Sequence, residues 1–162
     1  KGVKAEIRVL SEESIRQHKN IVKLLDIRWD HPNLDRDNIG PTLYLEYAEL
    51  GTLAQFCKSG NSLRTDASLT RHILVGIWDG LDALHQSGIV HGDVKPSNVL
   101  LFQEGSTILA KVSDFGCAIF IMDLKADKVE LAGRSPPWDA PEAGSEIAPN
   151  LLEKTDIYSY GL

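Results

Sequence analysis

Apolar positions recur at two different periods along the chain, and the changes of period mark out its elements. Between residues 66 and 88, Leu69, Ile73, Ile77, Leu81 and Leu84 return at steps of three and four. That spacing lines one face of a helix, the longest the pattern predicts, and Gly88 supplies its stop. "KAEIRVLSEESIRQH" (4–18) sets Ile7, Leu10 and Ile15 on one face and predicts an earlier helix. "NIVKLLDIRW" (20–29) is a strand-like apolar run, and "TLYLEYA" (42–48) alternates and carries aromatics as a half-buried strand does. Between them "DHPNLDRDNIGP" (30–41) is a polar loop. "ELGTLAQFCKSG" (49–60) predicts a Gly-broken connection and a short helix. "NVLLF" and "ILAKVSD", joined by "QEGST", predict a hairpin. From 117 to 150 the chain is rich in Pro and Gly without periodicity, and "LEKTDIYSYGL" resumes a helix. Mixed helices and antiparallel strands in one stretch define an α+β chain.

Length and composition narrow the picture. The 162 residues can bury one sizeable core, and 43% hydrophobic with 25% charged residues is ordinary for a globular domain. A net charge of −6 argues against a nucleic-acid or acidic-membrane surface. Cys57 and Cys117 stand far apart, in no metal-ligand spacing, which fits a reducing compartment and an intracellular, cytoplasmic protein. The longest apolar run, "ILVGIW" (73–78), is too short to span a bilayer, so no membrane segment is expected. Lys1 begins the chain without a signal peptide, and "DIYSYGL" stops within an apolar pattern. Both ends look cut, and a fragment of a longer chain is expected.

The candidate chemistry lies in "HGDVKPSN" (91–98) and "SDFG" (113–116). Phosphoryl transfer needs a carboxylate to orient the attacking hydroxyl and oxygen ligands for magnesium on the nucleotide phosphates. Asp93 suits the first task, since it can accept the hydroxyl proton as the bond forms. Lys95 can neutralise charge growing on the transferred phosphate. Asn98 offers a hard amide oxygen to magnesium, and Asp114 a charged one. The hairpin that starts after Asn98 returns the chain to the same place. An isolated His-Gly-Asp or Asp-Phe-Gly is more often a turn than a site; their joint occurrence at this spacing carries the reading. His91 itself is expected to pack and hydrogen-bond, and Cys57 to pack. Cys117, next to the magnesium loop, falls near the nucleotide.

These stretches together resemble the eukaryotic protein kinase family over nearly the whole chain. "HGDVKPSN" is similar to the catalytic loop, "DFG" to the magnesium loop, and "APE" (140–142) to the end of the activation segment. "DIYSYG" (156–161) resembles the start of a large buried helix, whose Asp156 would tie down the catalytic-loop backbone. "YLEYAELGTL" (44–53) is similar to the hinge, with Leu45 as gatekeeper and the Glu46 carbonyl and Ala48 amide bonding the adenine of ATP. "EIRVL…HKNIVKLL" resembles the regulatory helix and the strand after it. Glu6 would be the acid that pairs with the phosphate-binding lysine; Glu12 and Glu13 sit too close to "HKNIV". Asp-x-Lys-Pro-x-Asn is the serine/threonine pattern, which implies protein substrates phosphorylated on those hydroxyls. Counting back from Glu142, Ser135 would hydrogen-bond Asp93 and Lys95; Trp138 stands where many members have Tyr. Glu142 would pair with an Arg further along. "GRSPPWDAPE" and "HGDVKPSNVLLF" resemble filamentous-fungal kinases.

The resemblance implies a partial kinase-like fold: a small-lobe remnant over about 1–47, a hinge at 48–52 and part of the large lobe over 53–162. No Gly-rich phosphate loop and no Val-Ala-x-Lys motif occur, and Lys1 is only five places before Glu6. The first strands are therefore expected upstream, and residues 1–162 alone are expected to be inactive and to leave an apolar face uncovered. Gly92 stands where protein kinases usually carry an Arg that pairs with an activation-loop phosphate, which implies activity without that phosphate. Two other readings compete. A pseudokinase would bind nucleotide or protein without transfer, but Asp93, Asn98 and Asp114 are all present. A small-molecule phosphotransferase of the His-Gly-Asp type would lack the Lys-Pro, the "APE" and the "DIYSYG" helix.

Overall fold

A computed structural model describes residues 2–29, 40–59, 66–131 and 135–162. The polar loop expected at 30–41 lies outside these apart from its last two residues. Helix α1 (Gly2–Ser11) comes first, then β1 (Leu24–Arg28) and β2 (Thr42–Leu45), which pair antiparallel. Helices α2 (Leu53–Lys58) and α3 (Ala67–Gln86) come next. Strand β3 (Ile89–Val90) pairs with β6 (Ile119–Phe120), and between them β4 (Val99–Glu104) and β5 (Thr107–Val112) form a hairpin. Helix α4 (Leu152–Tyr160) closes the order.

Helix α1 is shorter than the apolar pattern of 4–18 predicts. It stops at Ser11, and residues 12–18 continue as turns, with Ile15 N–H donating to Glu12 O (3.0 Å) and His18 N–H to Ile15 O (2.8 Å). Glu12 and Glu13 explain the stop, because negative side chains oppose the C-terminal end of a helix dipole. Ile15 is still fully buried, brought in by the turn instead of by helical phase.

Helix α3 carries the main core. Its N-terminus is capped by the Asp66 side chain, which accepts the Leu69 N–H at 2.9 Å. Ile73, Ile77, Leu81 and Leu84 are buried along one face, while Leu69 packs at its edge. Gly76 and Gly80 lie on the same face, where a Cβ would come within 2.8 Å of Asn20 Nδ2 and 2.7 Å of Asn20 O. Their missing side chains let α3 press against residues 20–22, which run beside β5: Val112 N–H donates to Asn20 O (2.8 Å) and Val22 N–H to Val112 O (3.0 Å). The segment after α1 is thereby joined to the hairpin. A second, smaller cluster joins Val90 to Leu131, Ala143, Ile147 and Leu152.

Candidate active site

The loop between β3 and β4 has little regular structure, so its shape depends on where its polar groups find partners. Three of its anchors come from distant residues. Asp156, on α4 and 1% exposed, accepts the backbone N–H of His91 at 2.8 Å and of Gly92 at 2.9 Å. The same carboxylate takes a third bond from His85 Nε2 (2.9 Å), in the last turn of α3. His91 is fully buried: Nδ1 accepts the Asp93 N–H (3.2 Å) and Nε2 donates to Ser113 O (3.0 Å). Both bonds together require the neutral tautomer with its proton on Nε2. The ring also lies 5.4 Å from that of Phe115, which is fully buried and directly follows Asp114. His91 thus holds the two loops in register by packing and hydrogen bonding.

Gly92 is required by the backbone. Its φ is +74°, and a Cβ there would sit 2.9 Å from the Cys117 carbonyl oxygen.

Around Asp93 the side chains form a closed ring. Lys95 Nζ donates to Asp93 Oδ2 (2.7 Å) and to Ser135 Oγ (2.8 Å), while Ser135 Oγ donates to Asp93 Oδ1 (2.8 Å). The backbone N–H of Ser135 is fixed by Asp139 Oδ1. Asn98, 5% exposed, donates through Nδ2 to Asp93 O (2.9 Å) and Oδ2 (3.1 Å), which leaves its Oδ1 as the acceptor of the amide. Asp114 is exposed, with φ +63°, and among the described residues its side chain takes a single long bond, 3.4 Å, from Gly116 N–H. Its carboxylate is therefore open to a ligand.

A family model for the protein kinase domain matches residues 1–162. The chain belongs to the protein kinase family. It is 34% identical over 161 residues to the leaf rust 10 disease-resistance locus receptor-like protein kinase-like 2.1 of Arabidopsis thaliana, covering 97% of this chain and 23% of that protein. It is 32% identical over 163 residues to the serine/threonine-protein kinase unc-51 of Caenorhabditis elegans (96% and 18%). Against the interferon-induced, double-stranded RNA-activated protein kinase of Rattus norvegicus the identity is 27% over 175 residues (100% and 32%). The chain thus spans about a third or less of the length of these relatives.

Within this kinase domain the remaining residues singled out in the sequence fall in four places. Leu45 ends β2 and packs on the main core; Glu46 to Ala48 continue as extended chain outside any strand. Among the described residues the Glu46 carbonyl and the Ala48 amide have no hydrogen-bond partner. Glu6 is half-buried on α1, and burial followed by the charge of Asp114 pushes its carboxyl above the usual range. Glu142 is exposed, with no ion pair among the described residues. Burial, then Asp93 and Asp114, raise the Cys117 thiol, so it is held protonated and poorly nucleophilic.

Three contributors escaped the sequence: His85, Asp139 and Lys111, which pairs with the Glu46 side chain at 2.6 Å. His85 and Lys111 lie in no motif, and Asp139 stands just before "APE" without a role of its own there. Only the helical spacing of His85 after Leu81 and Leu84 hinted that it faces inward. No helix among the described residues is long and apolar enough to cross a membrane.

Proposed function

We propose that this domain, as part of a longer chain, transfers the terminal phosphoryl group of ATP to serine and threonine hydroxyls of protein substrates. The ring of Asp93, Lys95 and Ser135 is the observation that carries the reading. Asp93 orients the incoming hydroxyl and takes its proton through Oδ1, which accepts from Ser135 alone and keeps a second lone pair, while Oδ2 is taken up by Lys95 and Asn98. Lys95 is held beside it to meet charge on the transferred group. Leu45, Glu46 and Ala48 form the adenine contact, supported by the unpartnered carbonyl and amide at the hinge.

Asn98 and Asp114 fit magnesium. They offer one amide oxygen and one exposed carboxylate, and magnesium favours such a sparse set when nucleotide phosphates and water complete its octahedron. When bound, the ion would neutralise phosphate charge. Glu6, half-buried on α1, is suited to hold the cationic partner of those phosphates.

Gly92 leaves the loop without the side chain that would dock an activation-segment phosphate, so order in 117–135 must come from elsewhere. Arg8 supports this: it pairs through both guanidinium nitrogens with Asp123 and stacks 3.6 Å from the centroid of Phe120.

The test uses the full-length protein with radiolabelled ATP, magnesium and a Ser/Thr peptide mixture. Transfer is expected, and Asp93→Asn should lower kcat by about 10²–10⁴ with nucleotide binding retained. A wild type that binds ATP without any transfer would replace the reading by a binding module of the pseudokinase type.

A further inference from the structure

Lysine is rarely buried, because removing an ammonium from water is costly unless a carboxylate meets it. Lys111, in the middle of β5's buried end, is only 7% exposed. Its Nζ donates to Glu46 Oε1 at 2.6 Å, 65 residues away, and lies 4.7 Å from the centroid of the Phe102 ring. The same Glu46 oxygen accepts the Lys23 N–H at 2.8 Å, and the Glu46 N–H donates to Lys23 O at 3.1 Å. Glu46 is thus fixed through both its backbone and its side chain.

The chain beyond Glu46 has much less support. The β1–β2 ladder ends at Leu24↔Leu45, after a register shift between Leu24 and Asp26. Tyr47 is 80% exposed, and the next internal bond is Gly51 N–H to Ala48 O at 3.1 Å. The position of the hinge peptides therefore depends on the Glu46 anchor. Lys111 stands three residues before Asp114 on the same chain, so one buried cation ties the hinge to the strand that delivers the magnesium-loop carboxylate.

We infer that Lys111 is a positioning residue for the nucleotide: through the Glu46 side chain it sets the Glu46 carbonyl and the Ala48 amide against the adenine. This rests on the adenine contact proposed above. Lys111 touches neither substrate nor phosphate in this role and acts only through Glu46.

The experiment measures, in the full-length kinase, KM for ATP, kcat and the affinity for adenosine, a nucleoside without phosphates. Lys111→Met should raise KM for ATP about five- to tenfold and weaken adenosine equally, with kcat changed by no more than about twofold. Glu46→Gln keeps the size of a partly exposed side chain and the acceptor for Lys23 N–H, so it should give a smaller rise in the same direction. The double variant should be no weaker than Lys111→Met, since the two act as one unit. If Lys111→Met fails to fold, Glu46→Gln still reports the same split. A wild type that binds ATP and adenosine, with both single variants unchanged in KM, overturns the inference alone. A fall in kcat without a change in KM also overturns it. A wild type with no saturable adenosine or ATP binding overturns the adenine contact and this inference together.

Discussion

The loop of residues 90–98 touches the described part of the segment 117–150 at Cys117 and Ser135, yet the two are held in different ways. In the loop, several polar groups are tied to distant residues: Asp156 and Ser113 hold the backbone and His91, and Ser135 joins Lys95 of the loop itself in holding Asp93. His91 and Asp156 are essentially without solvent access. Among its described residues the segment has a two-residue strand pair, a backbone bridge between Val129 and Ile147, a small apolar cluster, and the side-chain bonds of Ser135 to Asp93 and Lys95 and of Asp123 to Arg8. Buried hydrogen bonds keep their strength because water does not compete, whereas exposed contacts are easily exchanged. The residues around Asp93 therefore sit on a frame that cannot shift cheaply.

The strongest way to break this contrast is to remove the loop's central acceptor. Asp156→Ala leaves the His91 and Gly92 N–H groups and the His85 ring without their partner in a buried place. Each orphaned donor costs about 1–3 kcal/mol, so a loss on the order of 3–5 kcal/mol is expected for the full-length protein. Denaturant unfolding measures it, and a loss under about 1 kcal/mol would mean that the loop is not held from α4. Asp156→Asn keeps one acceptor oxygen and should cost less.

A smaller effect tests the place where the two regions touch. Gly92→Ala forces a side chain into the left-handed region and towards the Cys117 carbonyl. The backbone conformation alone costs about 1–2 kcal/mol. A thermal melt should show that loss, with the Cys117 side of the contact giving way. Unchanged stability would show that the segment moves freely from the loop, and that the joint is looser than its 2.9 Å approach requires.

Legibility in the sequence divides along the same line. Helix α3, the β4–β5 hairpin and the residues around Asp93 can be read directly, because period, turn chemistry and motif spacing are local properties. The end of α1 is hidden because Ile15 keeps the apolar rhythm after the backbone has left the helix at Ser11. The two-residue strands β3 and β6 are too short to carry a period, and pair only because Gly88 and the loop bring them together. Lys111 is invisible as a site residue: its partner is 65 positions away and its own neighbours are apolar strand residues. Similarly, nothing near Arg8 or Asp123 announces a contact across 115 residues.

That last contact makes the smallest and most selective test. Arg8 and Asp123 are each about half exposed (50% and 55%), so solvent screens their ion pair and it adds little to stability. It is nevertheless the described ion pair that joins α1, which carries Glu6, to the segment after Asp114. Arg8→Ala should leave the melting temperature of the full-length kinase nearly unchanged and lower its activity about two- to threefold. Because exposed charges are screened, the difference between wild type and variant should shrink in about 0.5 M salt, a Debye length of roughly 4 Å. The exchange Arg8→Asp with Asp123→Arg restores opposite charges and should recover part of the loss, although the stacking on Phe120 is given up. Phosphatase-treated wild type should keep its activity, since Gly92 provides no group to dock a phosphate. If phosphatase abolishes activity while Arg8→Ala does nothing, order in the segment comes from phosphorylation, and the loop and the segment are linked by a charge that the unmodified chain does not carry.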